Sequence, residues 1–489
     1  MVRSRYTDPV IHIIGGGLAG CEAAWQAARL GQDVTLHEMR PVRPTLVHKT
    51  DQLAELVCSN SFRGDKLDNA VGLIKEEMRR LDSVVMAAAE EARVPAGAAL
   101  AVDREAFSRG VAARLATQPR ITIRREEVTA LPAASAPGDA VIVATGPLTS
   151  DALSRSVQAF VGEEHLAFYD AISPIVLAES IDHDKVFRQS RWGRSLRRET
   201  SGAAGAALAA GQAPDGARGR AAPAAVAEPA GAGVACGVDD GEGDYLNCPF
   251  TKDDYTAFYD ALISAESATI HDFDSVQFFE GCLPIEVMAH RGRDTLRFGP
   301  MKPVGLEDPR TGRRPYAAVQ LRQDTLAGDH FSLVGFQTQL KWAEQARVLK
   351  LIPGLERAEF VRFGMVHRNT FINGPKVLRA TWQTKVRDDL FFAGQISGVE
   401  GYVESAASGL IAGRNAARFV QGLPTLAAPR ETAIGALAHY ASHADPTHYQ
   451  PSNITFGIMP PLASPPRDKA LRKQALSERA LAELDAWML

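Results

Sequence analysis

The stretch VIHIIGGGLAGCEAAWQAARLGQDVTLHE, residues 10–38, decides the fold. Its apolar start, VIHII, predicts a short buried strand, and the alanine-rich segment that follows the glycines predicts a helix to about Leu30. Gly31 is a typical residue for the end of that helix. DVTLHE then predicts a second strand. A strand, a helix and a strand in this order form a βαβ unit, which indicates an α/β protein with a parallel sheet.

The glycines of this unit carry the spacing G-x-G-x-x-G at Gly15, Gly17 and Gly20. Glycine at these positions permits a tight turn, lets a pyrophosphate approach the main chain and lets the helix pack on the strand. Glu38 follows Gly20 by 18 residues and ends the second strand, where a ribose-binding carboxylate belongs. We therefore predict a dinucleotide site. Its predicted binding residues are Gly15, Gly16, Gly17, Leu18, Ala19, Gly20 and Glu38.

Two later segments favour FAD over NAD as the dinucleotide. LFFAGQISGVEGYVESAASG, residues 390–409, predicts a strand, a glycine-rich turn and a helix, with Gly394 and Gln395 as further cofactor contacts. DAVIVATG, residues 139–146, predicts a buried strand that ends in a turn at Gly146. Together the three pieces resemble a two-dinucleotide-binding-domain flavoprotein, in which FAD extends between loops of both chain ends. No second G-x-G-x-x-G follows a strand, so we predict no separate NAD(P) domain.

The length of the chain, 489 residues, predicts more than one domain. An apolar series from Leu67 to Ala92 at spacings of three and four predicts one long amphipathic helix that stops near Pro95. Asp103 is predicted to cap the next helix. Residues 201–235 contain 16 Ala, 7 Gly and 3 Pro, which predicts a flexible loop over about 195–241. A charged amphipathic helix is predicted for about 466–489.

The sequence argues against a polycationic protein, a membrane-spanning or secreted protein and a C-x-x-C disulfide reductase. The net charge of −4 means that any nucleic acid must bind to a local basic face. The sequence contains no apolar run long enough to span a membrane, no signal pattern and no C-x-x-C motif. Five scattered cysteines are typical of reduced thiols, so we predict a cytoplasmic protein with no membrane association and no metal.

Two of the cysteines lie in polar surroundings. Cys58, in LVCSNSFRGD, precedes a predicted helix and has Arg63 and Lys66 nearby, a setting in which a thiolate can be a nucleophile. Cys248 lies in DYLNCPF. Both could equally be small packing residues in turns. A lone thiol does not fit flavin–disulfide chemistry, but it could add to C6 of uracil and make C5 able to accept a one-carbon unit.

The other three cysteines have simpler interpretations. Cys21 lies on the first helix and is predicted to pack as a small apolar residue, and Cys282 is predicted to lie in a core. Cys236 follows the alanine-rich segment and has no predicted role.

Longer motifs connect these pieces to a known family. IIGGGLAGCEAAWQAARLG, LVCSNSFR, ALAVDREAFS, GDYLNCPF, EGCLPIEVMAHRGRDTLRFGPMKPVGL and FAGQISGVEGYVESAASGL together resemble the TrmFO family of flavin- and folate-dependent tRNA (uracil-5-)-methyltransferases. The likeness covers nearly the whole chain. The related glucose-inhibited-division flavoproteins, which modify the wobble uridine of tRNA, share the first loop but are not expected to share LVCSNSFR or LNCPF.

This resemblance implies an activity: methylation of uridine C5 in the T loop of tRNA, with methylenetetrahydrofolate as carbon donor, FAD as cofactor and NAD(P)H as reductant. It implies that Cys58 and Cys248 are the catalytic cysteines, without deciding which of them attacks C6. The alternatives are an NAD(P)H-dependent flavoprotein oxidoreductase and a flavoprotein that modifies the wobble uridine.

The resemblance also implies an FAD-binding Rossmann-like domain built from both chain ends, with an α+β insertion domain between them. We expect the FAD domain at 1–165 and 331–440, the insertion domain at 166–330 and a C-terminal extension with a helix at 441–489. About fifty residues before GDYLNCPF depart from the family pattern, and THYQPSNITFGIMPPL matches it only in part.

Two groups of basic residues are candidates for contact with the phosphates of tRNA. Surface ion pairs or contacts with folate would explain them as well. The first group lies in and after HRGRDTLRFGPMK and comprises Arg291, Arg293, Arg297, Lys302, Arg313 and Arg314. The second comprises Arg191, Arg194, Arg197 and Arg198.

Overall fold

The structure is a computed structural model, and most of the chain is described by it. The described residues are 10–45, 47–132, 138–162, 166–171, 173–193, 243–267, 283–364 and 366–488. The predicted loop at about 195–241 lies entirely outside them, as do Cys236, Cys282, Arg194, Arg197 and Arg198.

Sixteen strands and thirteen helices are named among the described residues. The strands are β1 (Val10–Ile14), β2 (Asp33–Glu38), β3 (Ser61–Gly64), β4 (Arg93–Val94), β5 (Ala99–Val102), β6 (Ile121–Arg125), β7 (Ala140–Val143), β8 (Leu166–Ala171), β9 (Ile175–Leu177), β10 (Phe187–Arg188), β11 (Tyr245–Phe250), β12 (Ala317–Gln323), β13 (His330–Leu333), β14 (Phe360–Arg362), β15 (Val366–Phe371) and β16 (Leu390–Phe392). The helices are α1 (Leu18–Arg29), α2 (Ala70–Arg80), α3 (Val84–Glu91), α4 (Arg104–Ala116), α5 (Asp151–Val161), α6 (Lys252–Ile263), α7 (Ile285–His290), α8 (Thr295–Phe298), α9 (Trp342–Leu349), α10 (Gly374–Val377), α11 (Tyr402–Val420), α12 (Ala433–His443) and α13 (Lys469–Met488).

The first of two large sheets is a five-stranded parallel sheet in the order β16-β7-β1-β2-β6. Strands β7 (AVIV) and β16 (LFF) are continuous apolar runs that are buried throughout, as expected where helices cover both faces, whereas β6 (ITIRR) at one edge is largely exposed. Helices α1 and α11 pack closely on each other beside this sheet. Glycines permit this approach, because a Cβ at Gly409 or Gly413 would lie within 2.5 Å of the α1 backbone. The predicted parallel α/β sheet, with a strand from the far end of the chain, is confirmed.

The second large sheet has six strands in the order β10-β11-β12-β13-β9-β14, and all its strand pairs are antiparallel. Side chains alternate between its two faces. In β11 and β12 the residues Leu246, Cys248, Val319 and Leu321 enter the core that α6 and α9 cover. Tyr245, Asn247, Gln320 and Arg322 therefore lie on the opposite face, which we call the polar face of the sheet.

The two large hydrophobic cores correspond to these two sheets. The first collects side chains between residues 11 and 157 and again between 372 and 484, whereas the second collects them between 176 and 358. The domain boundaries stay a prediction. Because β13 and β14 extend the antiparallel sheet to Arg362, we propose that the insertion domain ends after β14 rather than at residue 330.

The prediction of one helix from Leu67 to about Pro95 was wrong, because the structure divides this segment into α2 and α3. Asp82 adopts a left-handed backbone with φ of 57°, and the side chain of Ser83 then accepts a hydrogen bond from the N–H of Met86 and caps α3. Buried Glu22 accepts hydrogen bonds from the Ser83 hydroxyl and the Val85 N–H. The apolar periodicity continues across the break because both helices face the same core. The predicted cap at Asp103 and the terminal helix, as α13, are confirmed.

Candidate functional site

A cleft opens where the strands of the parallel sheet end, which is the usual ligand position in open α/β sheets. It contains about 1000 Å³ of empty space, including the part open to solvent. Its walls include eight of the nine residues predicted to bind the cofactor: Gly15, Gly16, Gly17, Leu18, Ala19, Glu38, Gly394 and Gln395. Gly146, from the predicted turn after β7, also lines it.

The three glycines of the first loop have different roles. Gly15 has a φ of +109°, and a Cβ there would lie 2.5 Å from the carbonyl oxygen of Ala144. A Cβ at Gly20 would lie 1.8 Å from the carbonyl oxygen of Gly15, so this glycine lets α1 pack against the loop. Gly17 lines the cleft, and a Cβ there would meet no atom within 4 Å. Gly17 therefore leaves the main chain open to a ligand at the start of α1.

Glu38 is buried and accepts four hydrogen bonds. They come from the N–H of Gly16 at 3.1 Å and from the N–H, Nε and Nη2 of Arg40 at 2.9, 2.9 and 3.2 Å. Burial alone would raise the pKa of the Glu38 carboxyl, but the hydrogen bonds and charge of Arg40 outweigh it and the pKa is lowered. The carboxylate is thus ionised and fixed at the cleft wall, where ribose binding stays a prediction. Arg40 was not predicted from the sequence.

The turn before α11 lines the cleft next to the first glycine loop, because a Cβ at Gly394 would lie 3.0 Å from the Cβ of Ala19. Gly394 has a φ of +77°, and its N–H donates to Ser408 Oγ at 2.7 Å. The amide of Gln395 donates to Glu400 at 2.8 Å. Tyr402, the first residue of α11, also lines the cleft. Glu38, both glycine turns and Tyr402 therefore line one cleft, as the binding of a dinucleotide requires.

Cys58 lies in a half-buried loop next to the part of the cleft that Tyr402 lines. Its backbone N–H and that of Ser59 donate to Tyr402 Oη, at 2.8 and 3.0 Å. Val57, the preceding residue, lines the cleft. Cys58 is not in a disulfide. The structure thus brings one of the two predicted cysteines to the C-terminal glycine turn, although 344 residues separate Cys58 from Tyr402.

Arginines from distant segments hold the Cys58 loop. Arg104, on α4, donates to the carbonyl of Leu56 at 2.6 Å and forms an ion pair of 3.0 Å with Asp324, which follows β12. Arg362, at the end of β14, donates to the carbonyl of Val57. Burial lowers the pKa of Arg362, and the charge of Arg104 lowers it further. These contacts join the loop to both cores.

A third arginine reaches the same loop from the polar face of the antiparallel sheet. Arg322 donates to Asn60 Oδ1 at 2.8 Å and to Ser59 Oγ at 2.9 Å. The charge of a Cys58 thiolate acts on the guanidinium groups of all three arginines. We call Arg104, Arg322 and Arg362 the arginine clamp. Cations around a half-buried thiol are typical of nucleophilic cysteines.

The strand after the loop is held by a buried cation. Lys75, on α2, donates from Nζ to the carbonyls of Phe62, Arg63 and Gly64 at 2.9, 3.2 and 2.6 Å and lies 3.6 Å from Asp65. Burial lowers the pKa of Lys75 to about 8. Arg63 itself has a left-handed backbone, with φ of 63°. Lys75 thus fixes an unfavourable conformation directly after the Cys58 loop.

Arg63, predicted as a cation for Cys58, has a different contact. Its guanidinium forms an ion pair with Glu404, which is fully buried in the first turn of α11. Glu404 also accepts the N–H of Ile454 at 3.0 Å. This ion pair therefore connects β3 to α11, the helix that begins with Tyr402.

Cys248 lies elsewhere. It is fully buried on β11, opposite Val319, with its side chain in the second core. Burial raises the pKa of its thiol well above the ordinary value. Arg322, which contacts the Cys58 loop, projects from the other face of the same sheet. The structure therefore places the two predicted catalytic cysteines on opposite sides of the antiparallel sheet. Cys21 is buried in the first core, as predicted.

Two further kinds of feature are absent from the described part of the chain. No group of three or more His, Cys, Asp or Glu side chains there could hold a metal ion. No helix within those residues has the length and apolar character needed to cross a bilayer.

Comparison with known proteins agrees with this geometry. A family model described as "Glucose inhibited division protein A" matches residues 10–201 and 235–424. The solved structure of Aquifex aeolicus GidA in its form II crystal aligns with a TM-score of 0.64 and 16% identity, covering 99% of this chain and 75% of that one. Together with the cleft and the parallel sheet, these findings define a dinucleotide-binding α/β protein of the glucose-inhibited-division class.

Curated relatives narrow the class. The protein of Symbiobacterium thermophilum is 55% identical over 485 residues, which cover 98% of this chain and 97% of that protein. The relative from Lactiplantibacillus plantarum is 51% identical over 97% of this chain and 96% of its own. Both are named Methylenetetrahydrofolate--tRNA-(uracil-5-)-methyltransferase TrmFO. The chain belongs to the TrmFO family, as its motifs predicted.

Proposed function

We propose that this protein transfers a one-carbon unit from methylenetetrahydrofolate to C5 of uridine in the T loop of tRNA and forms 5-methyluridine, with FAD as cofactor and NAD(P)H as reductant. Folate, tRNA and uracil C5 are the terms in the names of its relatives. The glycine-lined cleft supports FAD, and the family motifs of the sequence support NAD(P)H and the T loop. The observation that carries the proposal is the position of Cys58 beside a dinucleotide cleft: its backbone N–H donates to Tyr402, which lines the cleft with Val57, and the arginine clamp holds its loop.

The cleft fits FAD by its shape and by its donors. Gly17 leaves an open approach to the main chain at the start of α1, and the Gly394 turn lines the cleft beside it. Glu38, held by Arg40, is the acceptor for a ribose hydroxyl at one end. When bound there, a flavin supplies the redox equivalents that turn a one-carbon unit into a methyl group.

Cys58 is our candidate for the nucleophile. A thiolate that adds to C6 of uracil forms an S–C6 bond, and the electron pair of the C5=C6 bond moves to C5, which becomes nucleophilic. C5 bonds to the one-carbon unit, whose bond to the folate nitrogen breaks so that the folate amine is the leaving group. The C5 proton leaves to a base, and the S–C6 bond breaks to restore the ring. The hydrogen bonds that Tyr402 accepts and the arginine clamp fix the loop that presents this thiol.

A catalytic role for Cys248 stays a prediction. Its thiol is buried in the second core, where its raised pKa disfavours the thiolate. To receive the C5 proton, the thiol would need access to the polar face of the sheet, and hence a rearrangement of β11. We also propose that the protein acts in the cytoplasm, where tRNA and reduced thiols occur together.

The test is an incubation of the purified protein with unmodified tRNA, NADPH and methylenetetrahydrofolate labelled in the transferred carbon. Label in 5-methyluridine at the T loop supports the proposal. NADPH oxidation without labelled tRNA would make the protein a plain flavin oxidoreductase, and label at the wobble position would make it a wobble-uridine enzyme.

A further inference from the structure

We propose that a surface at the start of β12 binds the T arm of tRNA through phosphate contacts and base stacking. It consists of Trp192, Phe298, Lys302, Arg313 and Arg314, and we call it the basic–aromatic surface. The inference rests on the proposed function, because it assigns part of the binding site for the tRNA substrate.

Charge is the first argument. Residues 291–316 contain seven Arg or Lys against three Asp or Glu, while the whole chain has a net charge of −4. Three of these arginines already have acidic partners: Arg293 with Asp260, Arg297 with Asp294 and Arg310 with Asp308. They are structural and are left out of the proposed surface.

Lys302, Arg313 and Arg314 differ from those three. Within the described residues, none of them forms an ion pair with an acidic side chain. Arg313 and Arg314 are exposed in the loop before β12. Positive charge without acidic partners, concentrated on a net-acidic protein, is what the phosphate backbone of a nucleic acid requires.

Exposed aromatic rings are the second argument. The Phe298 side chain is 82% exposed at the end of α8, and Trp192 is 56% exposed. Trp192 has a left-handed backbone with φ of 57°, and its N–H donates to the carbonyl of Gly305 at 3.0 Å. The Lys302 ammonium lies 6.0 Å from the centre of its ring. Rings that alternate with cations can stack unpaired bases while the cations hold the phosphates.

Position is the third argument. The N–H of Ala318, at the start of β12, donates to the carbonyl of Met301 at 3.1 Å, which places the Lys302 segment at this end of the strand. Arg322, near the other end, contacts the Cys58 loop. Four residues of extended strand span about 13 Å, so the surface and the proposed nucleophile lie within the reach of one RNA stem-loop.

The electrostatic part is tested by the salt dependence of binding. The affinity of the full-length, flavin-loaded protein for a labelled, unmodified tRNA transcript is measured by fluorescence anisotropy over a range of salt concentrations. We expect the double variant R313Q/R314Q to lower the slope of log Kd against log salt by about 2. The matched control R467Q/K469Q removes two exposed charges near α13 and should keep the wild-type slope.

The stacking part is tested by F298A in the same assay. Loss of one stacked base should weaken binding roughly tenfold and leave the salt slope unchanged. V386A, which truncates a 76% exposed apolar residue elsewhere, is the control. Flavin content and melting temperature should equal those of the wild type in every variant. If a variant fails this check, K302Q replaces R313Q/R314Q in the electrostatic test and F298L replaces F298A in the stacking test.

The same losses are expected with an isolated T-arm hairpin as ligand. Wild-type affinity and slope in R313Q/R314Q and F298A would overturn the inference, as would an equal loss in the control variants or a loss seen only with full-length tRNA. These results are distinguishable from failure of the proposed function, in which the wild-type protein itself would not methylate tRNA.

Discussion

Replacing Gly17 by valine tests the cofactor cleft at a lining residue whose Cβ would point into open space. The backbone of Gly17 is extended, with φ of −78°, and a Cβ there meets no atom within 4 Å, so the fold should tolerate the change to within about 0.5 kcal/mol. The same side chain would enter the space that a pyrophosphate needs. Forcing extra carbons into a filled site costs about 1–3 kcal/mol. We therefore expect FAD to bind roughly 5- to 150-fold more weakly.

The assay is a fluorescence titration of the apoprotein with FAD, together with a melting curve. Gly20→Ala is the contrasting control, because its Cβ would lie 1.8 Å from the Gly15 carbonyl oxygen and should lower the melting temperature directly. A Gly17→Val protein that melts like the wild type and binds FAD with unchanged affinity would refute the assignment of this loop.

The other predictions concern the thiols, a buried carboxyl and the alanine-rich segment. Cys58→Ala should keep FAD and a normal melting curve but lose methyl transfer and the covalent adduct with tRNA that carries 5-fluorouridine; an unchanged rate would remove Cys58 from the mechanism. Cys248→Ala should also lose methyl transfer if the family role holds, and retained turnover with only a lowered melting temperature would make Cys248 a packing residue. Burial raises the pKa of Glu77 to about 8, above its unfolded value of about 4.3, so the folded state holds an extra proton between these pH values and the free energy of unfolding should fall as pH rises through them. Glu77→Gln should flatten this slope in denaturant titrations, whereas the exposed-carboxylate variant Glu483→Gln should not. Deletion of 201–235, which contains few large apolar residues, should leave flavin content and melting unchanged, and an unfolded product would contradict this.

Local signals predicted the first βαβ unit well. VIHII and DVTLHE became β1 and β2 with the predicted limits, because glycines and short polar turns mark both ends. The strand before Gly394 was predicted equally well, since the apolar run LFF meets a glycine turn. In each case the determinants of the element lie within a few residues of it.

Contacts between distant segments could not be predicted. Arg104 and Asp324 are 220 residues apart, and Arg362 reaches Val57 across 305 residues, so no local pattern identifies the arginine clamp. The break at Asp82 had a weak signal, because Ser83 is a good capping residue, but the continuous apolar stripe concealed it. The burial of Cys248 could not be predicted either. Alternate side chains of β11 face opposite sides of the sheet, and the local sequence does not show which side the second core covers.

The strand β16 has a consequence for synthesis of the chain. It occupies one edge of the parallel sheet, beside β7, and α11 packs on α1, yet about 250 residues separate β7 from β16. A nascent chain that has emerged only to β14 contains every strand of the antiparallel sheet, whereas its parallel sheet still lacks an edge strand and the helix that covers α1. The part of the protein that contains the antiparallel sheet can therefore fold on the ribosome before the part that contains the parallel sheet. Among the residues that line the cleft, those from Gly394 to Ser405 emerge last, so the cofactor cleft is complete only after this segment has been synthesised.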